Sequence, residues 1–502
     1  MKRFKQKIDK FFEISKRGSS IKIEIYAGLT TFLSMAYILV VNPNNILAAG
    51  YNDPRFASVF IATAIGSFIG TILMSLIAKM PLAQAPGMGL NALAGSIIGG
   101  AMSYSYSYGN TMALIFISGL LFLFLSFVPC EKDSKTGKLI SLREKIFEGI
   151  PKPIVNSISV GVGLFITFIG LQNAHIIISD KYTLVGLANL NNPTSWLPGG
   201  DGCMVLVALI GLIVIGILSH YKVNGSIVWG ILAATIIAIP LGVANPDILS
   251  GATNGISWNF KNSLIDYFNI FNENTVFLSL FRNGFIFPKG SLSTSIMLIV
   301  SFFLMDMFDT MGTLIGCCKN ANLIDEDGKP MNYGEMLYVD SASSMAGSLV
   351  GTSTISVFVE SSTGMSVGGR TGLTSLVTAF LFLISIFLLP LFAFIPSPAA
   401  ASALLYVGVI MMTNIKNVDF KHIKNAIPSF ITIIIMLLSY SITNGIGIGI
   451  IVYFILDLTI YIIDTIRYKT KQSKKIPKTD INLITTIIVI LFLIYFLMPQ
   501  IG

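Results

Sequence analysis

The stretch "FVESSTGMSVGGRTGLTS", Phe358 to Ser375, lies between two long apolar runs, yet it carries a glutamate, several hydroxyls, four glycines and an arginine. A second stretch, "PLAQAPGMGLNALAG" from Pro81, is built the same way. Each has a short polar passage followed by a Gly-Met pair, Gly87-Met88 in one and Gly364-Met365 in the other. Both are too short and too broken by glycine or proline for an ordinary spanning helix, which needs about 20 apolar residues. Irregular backbone survives inside a membrane only where protein walls or a lined cavity satisfy it. The chain around these stretches is that of a membrane protein. Of its 502 residues 53% are hydrophobic and 12% charged, against about 25% charged in soluble domains.

Apolar runs set between breakers predict spans at 25–46, 57–79, 86–103, 111–129, 153–173, 202–219 and 226–244. After a polar segment come 295–317, 335–350, 355–368, 372–394, 399–413, 428–442 and 445–464, and a last apolar run covers 482–500. The first 22 residues are basic and lack an apolar signal core, so they read as a cytoplasmic arm against anionic lipid, not a cleaved signal peptide. With that arm inside, five of the 33 Lys and Arg fall outside (Arg55, Lys181, Lys261, Arg282, Lys289) and the remaining 28 inside. That is the positive-inside bias. It accounts for the net charge of +8 without a nucleic-acid partner.

A repeat supports the same topology. "IPKPIVNSISVGVG" from Ile150 and "IPSPAAASALLYVGV" from Ile395 share six residues at a constant offset of 245. The first precedes the fifth span on the inside and the second precedes the twelfth on the outside. Two seven-span halves of opposite orientation form an inverted repeat, and matching broken segments in such halves point to a transporter's binding site. The domain reading is an arm at 1–22, a first repeat at 23–244, a polar external connection at 245–294, a second repeat at 295–465, and a basic linker with a C-terminal apolar segment at 466–502.

The chemistry at depth is acidic. Asp306 and Asp309 lie three apart in the eighth span, on one helix face, and Glu360 sits at the break of segment ten. A charge at the bilayer centre costs about 2.5–3.5 kcal/mol on insertion scales, and such residues usually face a cavity and act on substrate or proton. "STISVFVE", Ser353 to Glu360, alternates β-branched residues and reads as a short extended piece, with a half-helix starting near Ser362 to Met365. Pro86 suits the first turn of a mirrored half-helix. Free N–H donors and a partial positive charge belong to each half-helix start, which places Ser361, Thr363 and Gly364 at one end of the candidate site and Gly87 and Asn91 at the other. Phe358 and Phe308 are the nearby rings for stacking. Asp340 reads as a structural residue near the interface, and Arg370 as an anchor at a helix C-terminus.

Other chemistries find no support in the chain. Cys130, Cys203, Cys317 and Cys318 form no CxxC, and the three histidines are scattered, so neither a disulfide framework nor a metal site is expected. No P-loop, GxSxG or HExxH occurs, and no cofactor is implied. Asp306 and Asp309 share one helix, whereas a protease dyad needs two.

"IYAGLTTFLSMAYILVVNP", "QAPGMGLNA", "DMFDTMGTLIG" and "GTSTISVFVESSTGMSVGGRTGLTS" resemble the signature blocks of the nucleobase–cation symporter-2 (xanthine/uracil permease) family. They are most similar to its AzgA-like branch of hypoxanthine, guanine and adenine permeases. The resemblance implies an all-α polytopic fold of about 14 segments in two inverted repeats. It implies short antiparallel strands and half-helices at segments three and ten, and a core domain moving against a gate domain, often in a homodimer. It places the base-binding acids on Asp306 and Glu360, the branch's asparagine on Asn91 and its second span-eight aspartate on Asp309. The chain departs from the branch in its Ser362-Thr363 pair, where small residues such as alanine are expected, and at Ser366. The expected activity is import of purine bases by proton symport across the plasma membrane, with sodium as the alternative ion. Asp306, Glu360 and Asp309 are the coupling residues. Uracil, xanthine or another small solute is the alternative cargo, and a channel or intramembrane enzyme the more distant reading.

Overall fold

In a computed structural model the chain is described over residues 2–47, 52–100, 105–132, 139–143, 145, 151–180, 184–223, 225–244, 260–321, 323–324, 330–439, 442–470 and 478–497. The first part of the polar connection, Ile150 of the first repeat motif, most of the basic linker and the last residues of the terminal run lie outside these.

Helices dominate. In order they are α1 (Lys2–Phe12), α2 (Ile21–Met35), α3 (Ile38–Ile46), α4 (Phe56–Leu73), which continues as a π-turn over Met74–Ala78, α5 (Met88–Ile98), α6 (Tyr108–Phe127), α7 (Lys152–Asn173), α8 (Asp201–His220), α9 (Ser226–Ala238) and α10 (Phe260–Phe268). Then come α11 (Leu292–Asn320), α12 (Tyr333–Val350), α13 (Ser361–Ser366), α14 (Gly372–Ile384), α15 (Leu389–Ala393), α16 (Ser397–Met412), α17 (Ile423–Leu438), α18 (Ile442–Lys469) and α19 (Leu483–Leu497). Among the described residues, eight helical stretches are long and apolar enough to cross a membrane, and five shorter apolar helices accompany them. The chain is therefore a multi-pass, mostly helical membrane protein. Segment ten is more broken than its apolar run suggests, because its helix, α13, has only six residues.

Two strands interrupt the first unit at its centre. β1 (Gln84–Pro86) pairs antiparallel with a partner at Ile355–Val357, in the register Gln84↔Val357, Ala85↔Ser356 and Pro86↔Ile355. Two flanking bonds extend the ladder, Gly87 N–H to Thr354 O at 3.0 Å and Phe358 N–H to Ala83 O at 3.1 Å. Every residue of both strands is buried. Backbone groups this deep must pair within the protein, and here each broken segment pairs with the other. α4 is cut to receive them. A Cβ on Gly66 would lie 2.7 Å from Ile355 Cδ1, and one on Gly70 would lie 2.8 Å from Ile355 Cγ2 and 2.9 Å from Gln84 Oε1. Only glycine lets the strands approach so closely.

The chain divides into two compact units, residues 1–123 with 167–406, and residues 124–166 with 407–502. In the first, α3, α4, α11 and α12 pack against the strand pair, and α2 and α14 pack on each other. In the second, α17 packs along α18, and Val160, Val418 and Ile433 form a small core. Lys424 there bridges the buried Asp457 and the exposed Asp480, the latter at 2.7 Å. Thr479 donates to Asp457 at 2.6 Å, which fixes the approach to α19.

The N-terminal arm is anchored to the first unit. Phe12 and Ile14 pack on Leu373. The Arg17 guanidinium donates to Lys79 O at 3.1 Å and to Arg370 O at 3.3 Å, and Ser19 donates to Gly368 O at 3.2 Å. Close by, fully buried Glu24 of α2 takes up the donors at the start of α14. It accepts from the N–H groups of Arg370 (3.0 Å), Thr371 (3.2 Å) and Thr374 (3.3 Å), and from the Thr374 hydroxyl (2.6 Å). A carboxylate suits this place because a helix N-terminus carries unsatisfied N–H groups and a partial positive charge. Replacing Glu24 by alanine strands these buried donors, at about 1–3 kcal/mol for each lost partner. Glu24→Ala is therefore expected to lower the thermal unfolding midpoint in detergent by several degrees, and Glu24→Gln, which keeps one acceptor oxygen, by less. Equal midpoints for all three proteins would show that the contact contributes nothing.

Candidate functional site

The strand pair delivers both broken segments to one place. β1 leads through Gly87 into α5, and the partner strand, β2 (Ile355–Val357), leads through Phe358 to Glu360 into α13. Glu360 stands at the N-terminal boundary of α13. It is 9% exposed, and its Oε1 accepts the Tyr37 hydroxyl at 2.7 Å. Phe358 is buried beside the strand end.

The two span-eight acids flank β2. Asp306 is buried, and its Oδ2 accepts the Ser344 hydroxyl at 2.8 Å, while the same hydroxyl reaches Ile355 O at 3.2 Å. Asp309 Oδ2 accepts from Ser356 at 3.0 Å. It also faces the other break, since a Cβ on Gly87 would lie 3.4 Å from it. Their spacing on α11 therefore places Asp306 beside one end of β2 and Asp309 beside its middle. Hydroxyls donate to Asp306, Asp309 and Glu360. Such donors hold a carboxylate in place without supplying an opposite charge.

The remaining residues read from sequence are placed as fasteners. Asn91 is fully buried; its Oδ1 accepts the Ser353 hydroxyl and its Nδ2 donates to Pro86 O at 3.3 Å. Ser361 Oγ accepts from Ala83 N–H at 3.0 Å, tying α13 back to β1. Thr363 donates to Ser34 at 3.0 Å and to Glu360 O at 2.6 Å. Gly364 lets α13 lie against α2, because a Cβ there would meet Thr31 Oγ1 and Ala27 O, the latter at 2.6 Å.

Two expectations need adjustment. Pro86, expected in the first turn of a half-helix, is instead the last residue of β1, ahead of Gly87 and α5. The backbone donors of α13 are not free at its start: Ser361, Ser362 and Thr363 N–H donate to Phe358, Val359 and Glu360 O at 2.9–3.1 Å. The short helix winds in tight turns that use them. The open first turn belongs to α5, whose eleven residues leave N–H groups without intrahelical partners. Asp340, read as a structural residue, is fully buried and accepts from Thr310 at 2.8 Å and Gln84 at 3.4 Å. Its burial follows from the inward face of α12, which also carries Ser341, Ser343 and Ser344. Arg370 does sit as an anchor, donating to Met365 O and Gly369 O at 2.5 and 2.8 Å.

Sequence reading missed Tyr37, Gln84 and Glu24. Tyr37 lies in an apolar run where a ring reads as packing. Gln84, in the broken segment, carried a usable signal: an uncharged amide among apolar residues needs partners, and it finds Ser343 at 2.6 Å as well as Asp340.

As a whole the arrangement offers carboxylate acceptors and one open helix start around two broken segments. It can hold a small polar solute with N–H donors, or a proton. The chain is similar to known proteins over most of its length. An adenine permease of Escherichia coli, AdeP, is 34% identical over 452 residues, covering 90% of each chain. A guanine/hypoxanthine permease of Bacillus subtilis, PbuO, is 36% identical over 446 residues, 88% of this chain and 93% of that one. Among solved structures, the transmembrane domain of a cyanobacterium bicarbonate transporter, BicA, superposes with a TM-score of 0.58 at 14% identity, covering 85% of this chain and 97% of that one. At that identity the likeness is one of fold. Residues 22–448 match the permease family that takes in the xanthine and uracil permeases. With the broken segments paired and the acids gathered about them, the chain belongs to the nucleobase–cation symporter-2 family of permeases.

Proposed function

We propose that this chain is a secondary active transporter that imports purine nucleobases together with protons across the plasma membrane. The observation that carries the reading is the gathering of Glu360, Asp306 and Asp309 about the one strand pair that joins the two broken segments. Relatives named as adenine and guanine/hypoxanthine permeases, alike over about nine-tenths of the chain, supply the substrate class. Acids at the breaks count against an anion as cargo. The architecture in this reading has fourteen spans in two inverted seven-span repeats, 23–244 and 295–465. A core domain moves against a gate domain, the protein is a homodimer, and the N-terminal arm is cytoplasmic against lipid.

In the mechanism, a base enters beside the strand pair. Glu360 accepts an N–H of the purine edge through the oxygen that Tyr37 does not hold. Asp306 carries or relays the proton. Asp309 and Asn91 complete the polar shell, and the first turn of α5 meets an acceptor of the base. Buried charge is expensive at membrane depth. Proton and base together lower the exposed polarity of the site, so the loaded form crosses an apolar barrier that the empty, charged form does not.

Uptake of labelled hypoxanthine, guanine, adenine, xanthine and uracil by cells lacking their own nucleobase importers tests this directly. A purine should accumulate, and a protonophore should abolish the accumulation. Uptake of uracil or xanthine alone would move the cargo to the alternative within the same family. Equilibration without accumulation would indicate a channel. Substitution then tests the site. Asp306→Asn and Glu360→Gln should each cut the ratio of maximal rate to KM by about 100-fold or more, in line with loss of a buried charged hydrogen-bond partner. Unchanged proton-coupled uptake in both variants would remove these residues from the mechanism.

A further inference from the structure

Tyr37 occupies the turn between α2 and α3. Tyr37 O accepts the amide of Val41 at 3.0 Å, and Leu39 N–H reaches Ala36 O at 3.2 Å, so the first span tightens there without parting. The ring is 2% exposed. A buried phenol needs a partner for its hydroxyl, since an unpaired one pays the full cost of leaving water. The partner here is Glu360 Oε1 at 2.7 Å. A phenylalanine could fill the same space, and the chain uses 35 of them. What the hydroxyl adds is the bond to the carboxylate.

We infer that Tyr37 is a positioning residue for substrate recognition: it pins one oxygen of Glu360 so that the other is presented to the ligand. This rests on the purine-permease reading above. A glutamate side chain has three rotatable bonds, and ordering a long side chain on binding costs free energy; a bond made before the ligand arrives removes much of that cost. A carboxylate has two oxygens, and a donor on one leaves the other as the acceptor for a ligand N–H. Finally, Tyr37 follows directly on α2, the helix that cradles α13. Thr363 donates to Ser34 of α2 at 3.0 Å, and Gly364 lies against Thr31 and Ala27. The distance between the phenol and the carboxylate is therefore held by packing on both sides of the bond.

The test is Tyr37→Phe, which keeps the ring and removes the hydroxyl. KM for the transported purine, and Kd for the same base measured on purified protein in detergent, should both rise about tenfold, the equivalent of one hydrogen bond. The maximal rate per molecule at the membrane should change by less than about twofold. KM does not depend on how much protein is made, so it still reports if the variant is produced poorly. A second readout separates positioning from packing. In protein that already carries Glu360→Ala, which removes both oxygens, adding Tyr37→Phe should weaken binding by less than about twofold, because the two changes remove one interaction. Unchanged KM and Kd in Tyr37→Phe, a loss confined to the maximal rate, or an undiminished tenfold loss in the Glu360→Ala background would each overturn the inference. If the unaltered protein takes up no purine, the substrate reading fails instead. Uptake by the unaltered protein with an indifferent Tyr37→Phe leaves that reading standing and removes only the role of Tyr37.

Discussion

A peptide group taken out of water must find its hydrogen bond inside the protein. The two broken segments of this chain leave such groups at the heart of the first unit, and they answer each other's need. Gln84 to Pro86 and Ile355 to Val357 form a fully buried two-stranded ladder that Gly87 and Phe358 extend. Much else is arranged around it. Gly66 and Gly70 of α4 clear the space. Ser344 and Ser356 tie the ladder to α12 and to the acids of α11, and Ser361 fastens α13 back onto the loop before β1.

The acids are the second element of the design. A carboxylate can be held in a low-dielectric interior by pairing it with a base or by giving it hydrogen-bond donors. Around Asp306, Asp309 and Glu360 the structure places serine and tyrosine hydroxyls. Neutral partners suit the site proposed here, because a tightly bound guanidinium would cancel the charge and occupy the acceptors that a ligand must reach. Charge-assisted fastening appears instead at the edge of the unit, where Glu24 gathers the first amides of α14 and Arg17 spans the carbonyls of Lys79 and Arg370. Lys79 comes just before segment three and Arg370 just after α13, so one guanidinium holds a flank of each broken segment.

Much of this was legible in the order of residues. The 20-residue apolar runs, the two Gly-Met breaks and the alternation of Ser353 to Glu360 announce membrane helices, a pair of interrupted segments and a short extended piece. The acids stood out because charge is rare in such a chain. Less legible were the residues whose role depends on a partner far away in sequence. Tyr37 and Glu360 are 323 positions apart, and Glu24 and Thr374 are 350 apart. A tyrosine in an apolar run has the same local signature whether its hydroxyl meets a carboxylate or a carbonyl. The use of α13's own amides was equally hidden, since it depends on how tightly a six-residue helix winds.

The sequence by itself determined that the chain is a multi-pass membrane protein, that it is interrupted at two matching places, and that its acids cluster at one of those places and in one span. Composition and spacing are enough for that, because the cost of exposing polar groups to lipid acts on each segment separately. Only the tertiary structure decided that the two interruptions pair in antiparallel register, that Asp306 and Asp309 flank the same strand, and that Tyr37 meets Glu360. Those are contacts between segments hundreds of residues apart. Hydrogen-bond geometry selects them within tenths of an ångström, and no local pattern of residues carries that information.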